Sequence, residues 1–171
     1  SRRGETRYSY TPTGQLERAE YPDGREQWRK SDQTGNLYPD PDMRLRRYLG
    51  GGRLEQDGEW HCEYDADGNL TERYLGTGRW LDGKKDRWRY RWNADGSLAK
   101  VIRPDKREVE FTYDALGRRL SKSFGTTVTR WVWNGNVPLH QWKQHREYSV
   151  VEDRWNTDTE RRDMTVWLFD E

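Results

Sequence analysis

Along most of the chain, large apolar residues alternate with polar ones at a period of two. Trp60, Cys62 and Tyr64 share one parity, as do Trp88, Tyr90 and Trp92, and Val109, Phe111 and Tyr113. Between them stand His61, Glu63, Arg89, Arg91, Glu110 and Thr112. Successive side chains of an extended strand point to opposite faces, so each run predicts a strand with rings on one face and polar groups on the other. Apolar residues at helical spacing are hard to find anywhere. The pattern predicts an all-β chain.

A recurring unit separates these strands: an aromatic residue, then Asp or another small polar residue, two further residues, Gly, and Leu shortly after. It reads Tyr10-Thr-Pro-Thr-Gly14-Gln-Leu16, Tyr64-Asp65-Ala-Asp-Gly68-Asn-Leu70 and Trp92-Asn-Ala-Asp-Gly96-Ser-Leu98. A fourth copy, Tyr113-Asp114-Ala-Leu-Gly117-Arg-Arg-Leu120, has its Leu one place late, and a degenerate copy runs Ser31-Asp-Gln-Thr-Gly35-Asn-Leu37. The glycines lie 21 residues apart from Gly14 to Gly35 and from Gly96 to Gly117, with gaps of 33 and 28 between, where extra turns must fall. Asp, Asn or Thr at the first turn position can bond back to the turn's own amides. Pro12 suits the second position of a type I turn. The glycine can take the left-handed conformation of a bulge that fits such a turn to strand twist. The unit therefore predicts tandem antiparallel β-hairpins.

Second turns link one hairpin to the next at Tyr21-Pro-Asp-Gly24, Asp57-Gly58, Asp82-Gly83, Arg103-Pro-Asp-Lys106 and Asn134-Gly135. Two places break the rule. Trp28 is out of phase with the Ser31 turn, which predicts a bulge or an edge strand there. Lys106 stands where the equivalent turn has Gly24. A positive φ costs a non-glycine residue about 1 kcal/mol, so a different turn geometry is expected at Lys106.

Composition qualifies the picture. Hydrophobic residues make up 31% of the chain and charged ones 36%, close to the balance of disordered segments. Ten Trp, ten Tyr and three Phe argue for folding, because each large ring can bury on the order of 150–250 Å². A thin, aromatic-rich core under a very polar surface is expected. The 31 basic and 30 acidic residues leave a net charge of +1, without the basic excess of a nucleic-acid partner. No apolar run reaches the roughly 20 residues of a membrane span, and no signal-peptide pattern is seen.

The segment Trp88–Lys122, together with Gly51–Gly58 and Thr129–Trp142, resembles the core of Rhs proteins, the bacterial tyrosine-aspartate (YD) repeat family. The resemblance covers essentially the whole of 1–171, which is read as a single YD-repeat segment of a longer Rhs core. It implies a strip of a spiralling sheet that closes into a hollow shell. It also implies a role: the shell encapsulates a C-terminal toxin and helps deliver it, in many members by type VI secretion. Expected partners are other segments of the same shell, the enclosed toxin domain and spike proteins of the PAAR and VgrG type. The expected location is the bacterial cytoplasm before export, then the target cell. A strip of this kind has edge strands at both ends, so self-association or pairing with neighbouring shell segments is expected.

No enzyme is expected. His61 and Cys62 are adjacent and point to opposite strand faces, and His140 and His145 are five apart. Neither pair has the spacing of a shared metal ligand, and no cofactor is implied. Cys62 shares its parity with Trp60 and Tyr64, as a buried apolar residue would. The Asp residues fall in turns, where their role is structural. Two rivals remain. Trp80-Leu-Asp-Gly83 followed by Trp88–Leu98 is similar to a choline-binding repeat, in which rings from successive hairpins cage a quaternary ammonium, so a choline- or glycan-binding surface module is the alternative. Rings alternating with Arg over Trp88–Trp92 also suit single-stranded nucleic acid or glycan. Alternation opposes this, since it sends rings and arginines to different faces. The residues expected to carry the structural role are Tyr10, Gly14, Leu16, Gly35, Tyr64, Asp65, Gly68, Leu70, Trp92, Gly96, Leu98, Tyr113, Asp114, Gly117 and Leu120.

Overall fold

The computed structural model describes residues 4–76 and 85–167, and every regular element among them is a β-strand. The all-β expectation is met. The strands are β1 (Arg7–Tyr10), β2 (Leu16–Glu20), β3 (Glu26–Trp28), β4 (Lys30–Ser31), β5 (Leu37–Tyr38), β6 (Arg46–Leu49), β7 (Arg53–Asp57), β8 (Trp60–Tyr64) and β9 (Leu70–Leu75). They continue with β10 (Lys85–Trp92), β11 (Leu98–Ile102), β12 (Glu108–Tyr113), β13 (Arg119–Phe124), β14 (Thr127–Asn134), β15 (Val137–Ser149), β16 (Arg154–Thr157) and β17 (Arg162–Val166). Twelve of them form one large sheet in chain order from β6 to β16, with β17 also on β15. β1–β3 and β4–β5 form two smaller sheets. The turn expected at Asp82-Gly83 lies outside the described residues, as does Trp80.

The described residues fall into two compact units, 4–63 with 73–76, and 64–72 with 85–167. In the first, β2 pairs antiparallel with β1 and with β3, which leaves β3 at a sheet edge. Trp28, out of phase in the sequence, ends this edge strand. The Arg29 amide still bonds to the Glu17 carbonyl at 2.7 Å before the chain enters β4, which pairs only with β5. In the second unit β10 to β15 form a run of antiparallel hairpins. The 13-residue β15 then pairs with β17 from His140 to Lys143 and with β16 from Arg146 to Ser149.

Register confirms the alternation but corrects where the core lies. Val101, Val109 and Phe124 are paired in line on one face with Phe111. Glu110, Ser123, Val128 and Gln144 are paired in line on the other, beside Thr112, Ser121, Arg130 and Trp142. In this unit the deepest residues are Ser121, Ser123, Val128, Trp142 and Arg146, all on the face of Glu110 rather than that of Phe111. The cause is local. The Trp155 ring of β16 lies 4.4 Å from the Arg146 guanidinium, and the Arg161 guanidinium, between β16 and β17, lies 4.8 Å from the Trp142 ring, so these late residues cover this face. Small Ser side chains fill what remains.

The core is thinner than the ring count suggested. Among the described residues, buried apolar side chains are Ala19, Tyr74, Val128 and Trp142, and none is below 2% exposure. The rings are covered instead by arginine. Arg73 stands 4.2 Å from the Trp60 ring, Arg107 4.1 Å from Phe124, and Arg119 4.6 Å from Phe111. Such contacts each contribute about 0.5–1 kcal/mol at exposed sites and more when desolvated, and the aliphatic stems cover apolar surface. This is how a chain so rich in charge folds without many aliphatic residues.

β1, β16 and β17 are exposed along their whole lengths. Unpaired strand edges recruit other strands. Light scattering of the purified chain should therefore show species larger than a single chain, increasing with concentration. A stable monomer at high concentration contradicts this.

Candidate functional site

Every YD turn is built alike. The amide at the Asp position bonds to the carbonyl four residues on, and the glycine amide bonds back to the carbonyl of the Asp position. These distances are 2.8 and 2.9 Å at Thr11, 3.1 and 3.2 Å at Asp32, 3.0 and 3.1 Å at Asp65, 2.8 and 3.0 Å at Asn93, and 3.0 and 3.0 Å at Asp114. Gly14, Gly35, Gly68, Gly96 and Gly117 all have φ between 76° and 88°. This is a type I turn closed by a glycine bulge. The ladder slips by one residue just before the aromatic position, which then sits opposite the residue six further on: Tyr10 with Leu16, Trp92 with Leu98, Tyr113 with Arg119.

The turn carboxylates act as staples. Asp32 accepts the Thr34 and Asn36 amides at 2.9 and 3.0 Å and the Asn36 side-chain amide at 2.8 Å. Asp65 accepts the Asn69 amide at 2.8 Å, and Asp114 accepts the Leu116 and Arg118 amides, both at 2.9 Å, and the Arg118 guanidinium at 2.7 Å. Loss of solvent raises the Asp32 pKa, but the bonds from Asn36 and Thr34 outweigh it and bring the carboxyl from 3.8 down to about 2. Asp65 is lowered by the Asn69 amide; at Asp114 desolvation opposes and Arg118 prevails. A depressed carboxylate contributes stability that is complete above the unfolded pKa and is lost as pH falls through the folded one. Thermal stability should hold down to about pH 5 and fall between there and pH 2. Asp32→Asn and Asp114→Asn should each flatten that fall in melting curves taken across pH.

A second regularity joins one unit to the next. Trp92 donates its indole N–H to the Leu70 carbonyl at 2.7 Å, and the Tyr113 hydroxyl donates to the Leu98 carbonyl at 3.0 Å. The Trp133 indole donates to the Arg119 carbonyl at 2.8 Å, and the Tyr48 hydroxyl to the Leu37 carbonyl at 2.6 Å. In each case the acceptor lies six residues beyond the start of the preceding YD unit. At Trp92 and Tyr113 the unit's aromatic residue thus does two things: it flanks its own turn and stitches its strand to the hairpin before. Tyr113→Phe removes one stitch and should cost about 1 kcal/mol in urea denaturation, with the turn unchanged. An equal stability of the two proteins contradicts the stitch.

Residues 1–134 match the family model described as the Teneurin YD-shell. This chain belongs to the YD-shell family. Curated relatives of the YD-shell chain carry toxin names. It is 32% identical over 149 residues to double-stranded DNA deaminase toxin A of Burkholderia cenocepacia, covering 79% of this chain and 10% of the relative. It is 27% identical over 105 residues to probable deoxyribonuclease RhsB of Dickeya dadantii, covering 60% of this chain and 7% of the relative. The chain spans a tenth or less of the length of these relatives. The Rhs resemblance is borne out. Among solved structures, a Photorhabdus luminescens Tc holotoxin pore aligns over 83% of this chain and 7% of its own, at 16% identity and a TM-score of 0.48.

In this YD-shell segment the structure revises several expectations. Leu120 is exposed and does not occupy the Leu16 and Leu98 position; Arg119 does, and the late Leu in the sequence is the next residue out. The Arg103-Pro-Asp-Lys106 turn does not change geometry. Lys106 takes φ 64°, its amide bonds to the Arg103 carbonyl at 2.9 Å, and the Arg103 amide bonds to the Arg107 carbonyl at 3.0 Å, copying the Tyr21 turn. The strain of one positive φ is small enough for the flanking ladder to hold. Leu16, Tyr64, Leu70 and Leu98 are half-buried, whereas Tyr10 is exposed. Sequence reading missed Tyr48 and Trp133, which carry the stitch without a following Asp-x-x-Gly. Their signal was available: Tyr48 has Leu54 six residues on, in register across the β6–β7 turn.

Guanidiniums do stack on rings, but they come from other strands or turns and leave the alternation within a strand intact. Arg103 lies 5.1 Å from Phe124 and 6.0 Å from Trp88, on the ring a choline cage would need. Cys62 is half-buried, and the His61 ring stacks on Tyr74 at 5.6 Å. Among the described residues no group of three His, Cys, Asp or Glu side chains is placed to hold a metal ion, and no helix is long and apolar enough to cross a membrane.

Proposed function

We propose that this chain is wall material of an Rhs-type toxin shell, a segment whose hairpins help enclose a C-terminal effector until delivery. The observation that carries the reading is the YD-shell match over residues 1–134, joined to relatives named as a DNA deaminase toxin and as deoxyribonucleases of which the chain spans a tenth or less. On this reading the catalytic words in those names belong to other parts of the relatives, and this segment supplies only barrier. Its mechanism is steric. Stitched hairpins form a hydrogen-bonded sheet with few routes for local opening, so the effector and the producing cell stay apart. The polypeptide is made in the cytoplasm and carried to a target cell by type VI secretion, its partners being neighbouring shell segments, the effector and spike proteins.

Limited proteolysis of the full-length polypeptide tests this. The effector region should resist protease while the wall is intact and be degraded once denaturant opens it. An effector region cut as fast in the native protein as in the opened one overturns the reading.

A further inference from the structure

The hairpin pair from Tyr10 to Leu37 and the pair from Trp92 to Arg119 have the same spacing, with glycines 21 residues apart in each. They correspond position by position: Leu16 to Leu98, Arg29 to Phe111, Ser31 to Tyr113 and Leu37 to Arg119. Ser31 pairs with Leu37 as Tyr113 pairs with Arg119. In the second pair the Tyr113 ring fills the space between its neighbours. Its hydroxyl reaches the Leu98 carbonyl at 3.0 Å, and the Arg119 guanidinium lies 5.9 Å from the ring.

In the first pair that ring is missing. Ser31 is exposed, and among the described residues no side chain donates to the Leu16 carbonyl. A cavity of about 560 Å³ opens at this place, lined by Leu16, Arg29, Ser31 and Leu37 with residues of the adjoining turns. Leu37 is left 52% exposed. The stitches from Tyr48, Trp92, Tyr113 and Trp133 each place a phenol or indole at this position, donating to the carbonyl at the place of Leu16.

We propose that the cavity at Ser31 is a socket for an aromatic side chain with a hydrogen-bond donor, the phenol of a tyrosine or the indole of a tryptophan, presented by another polypeptide segment. The donor meets the Leu16 carbonyl, the ring covers Leu16 and Leu37, and the Arg29 guanidinium is free to stack on its face as other arginines do in this chain. The inference concerns residues 15–37 alone and stands or falls apart from enclosure of an effector.

The test uses N-acetyl-tyrosinamide, N-acetyl-phenylalaninamide and free tyrosine, titrated into the whole chain and followed by amide NMR. N-acetyl-tyrosinamide should give saturable shifts at Leu16, Ser31 and Gly35. The phenylalanine analogue should bind roughly two- to tenfold more weakly, the worth of one hydrogen bond. Free tyrosine binding tighter than the capped amide would assign the socket to an amino acid and overturn the peptide source. Ser31→Tyr should raise the melting temperature and abolish the shifts, with Ser31→Ala as the control that changes neither. Absence of saturable shifts, shifts that persist in Ser31→Tyr, or a lower melting temperature in Ser31→Tyr than in Ser31→Ala overturns the proposal.

Discussion

Trp142→Ala should lower stability by about 3–5 kcal/mol, the largest loss expected from one substitution in this chain. Buried apolar side chains are few among the described residues, and Trp142, at 8% exposure, is the largest of them. Its ring lies on the covered face beside Val128 and Ser121, under the Arg161 guanidinium at 4.8 Å. Truncation removes the transfer energy of the indole and leaves a cavity that backbone bonded on both sides cannot easily close. The indole N–H is buried without a hydrogen-bond partner. Trp142→Phe loses some packing but also removes that unmet donor, whose desolvation costs about 1–3 kcal/mol. Phe should therefore lie much nearer to wild type than Ala in urea denaturation followed by circular dichroism. Similar losses in the two variants would mean that the ring is not the main contributor.

Gly96→Val should cost about 1–3 kcal/mol, for a different reason. A Cβ at Gly96 meets nothing within 4 Å, so no collision is involved. The cost lies in the backbone, held at φ 78° by the Asn93–Gly96 turn, a region that β-branched residues enter poorly. Lys106 sets the scale from within the chain, since an unbranched residue occupies the same turn position at φ 64° with the bonds intact. Gly96→Asn should accordingly lose much less than Gly96→Val, because Asn visits this region readily. An unchanged melting temperature for Gly96→Val would remove the turn argument.

The turns were the most legible part of the fold. Asp-x-x-Gly dictates a local geometry through groups only three or four residues apart, so short-range chemistry determines it. The strand alternation was equally readable, because it depends only on the pleat. What the sequence concealed depends on covering elements and long-range reach. Trp155 and Arg161 lie far along the chain from Ser121 and Ser123, and nothing local to those serines announces that their face is the buried one. The stitch from Trp133 to Arg119 crosses a turn of different length from the one between Leu98 and Tyr113, so a fixed-period search passes over it. Arg119 was hidden for another reason: the eye takes the nearby Leu120 for the repeat's Leu, whereas the bulge counts positions and not residue types.

The chain's membership in the YD-shell family explains why so polar a sequence folds as it does. A sheet whose two faces both stay half-covered cannot rely on an aliphatic interior. It uses rings capped by guanidiniums, carboxylates spent on turn amides and aromatic donors spent on neighbouring carbonyls. Each of these serves a wall better than a binding pocket, because each ties a strand to the next.

Electron cryomicroscopy of the full-length polypeptide tests the central claim most directly. The account predicts that residues 1–171 form part of a continuous β-sheet wall around a cavity holding the downstream domain. A reconstruction in which these hairpins stand on an open surface, with the downstream domain outside and in contact with solvent, would contradict it.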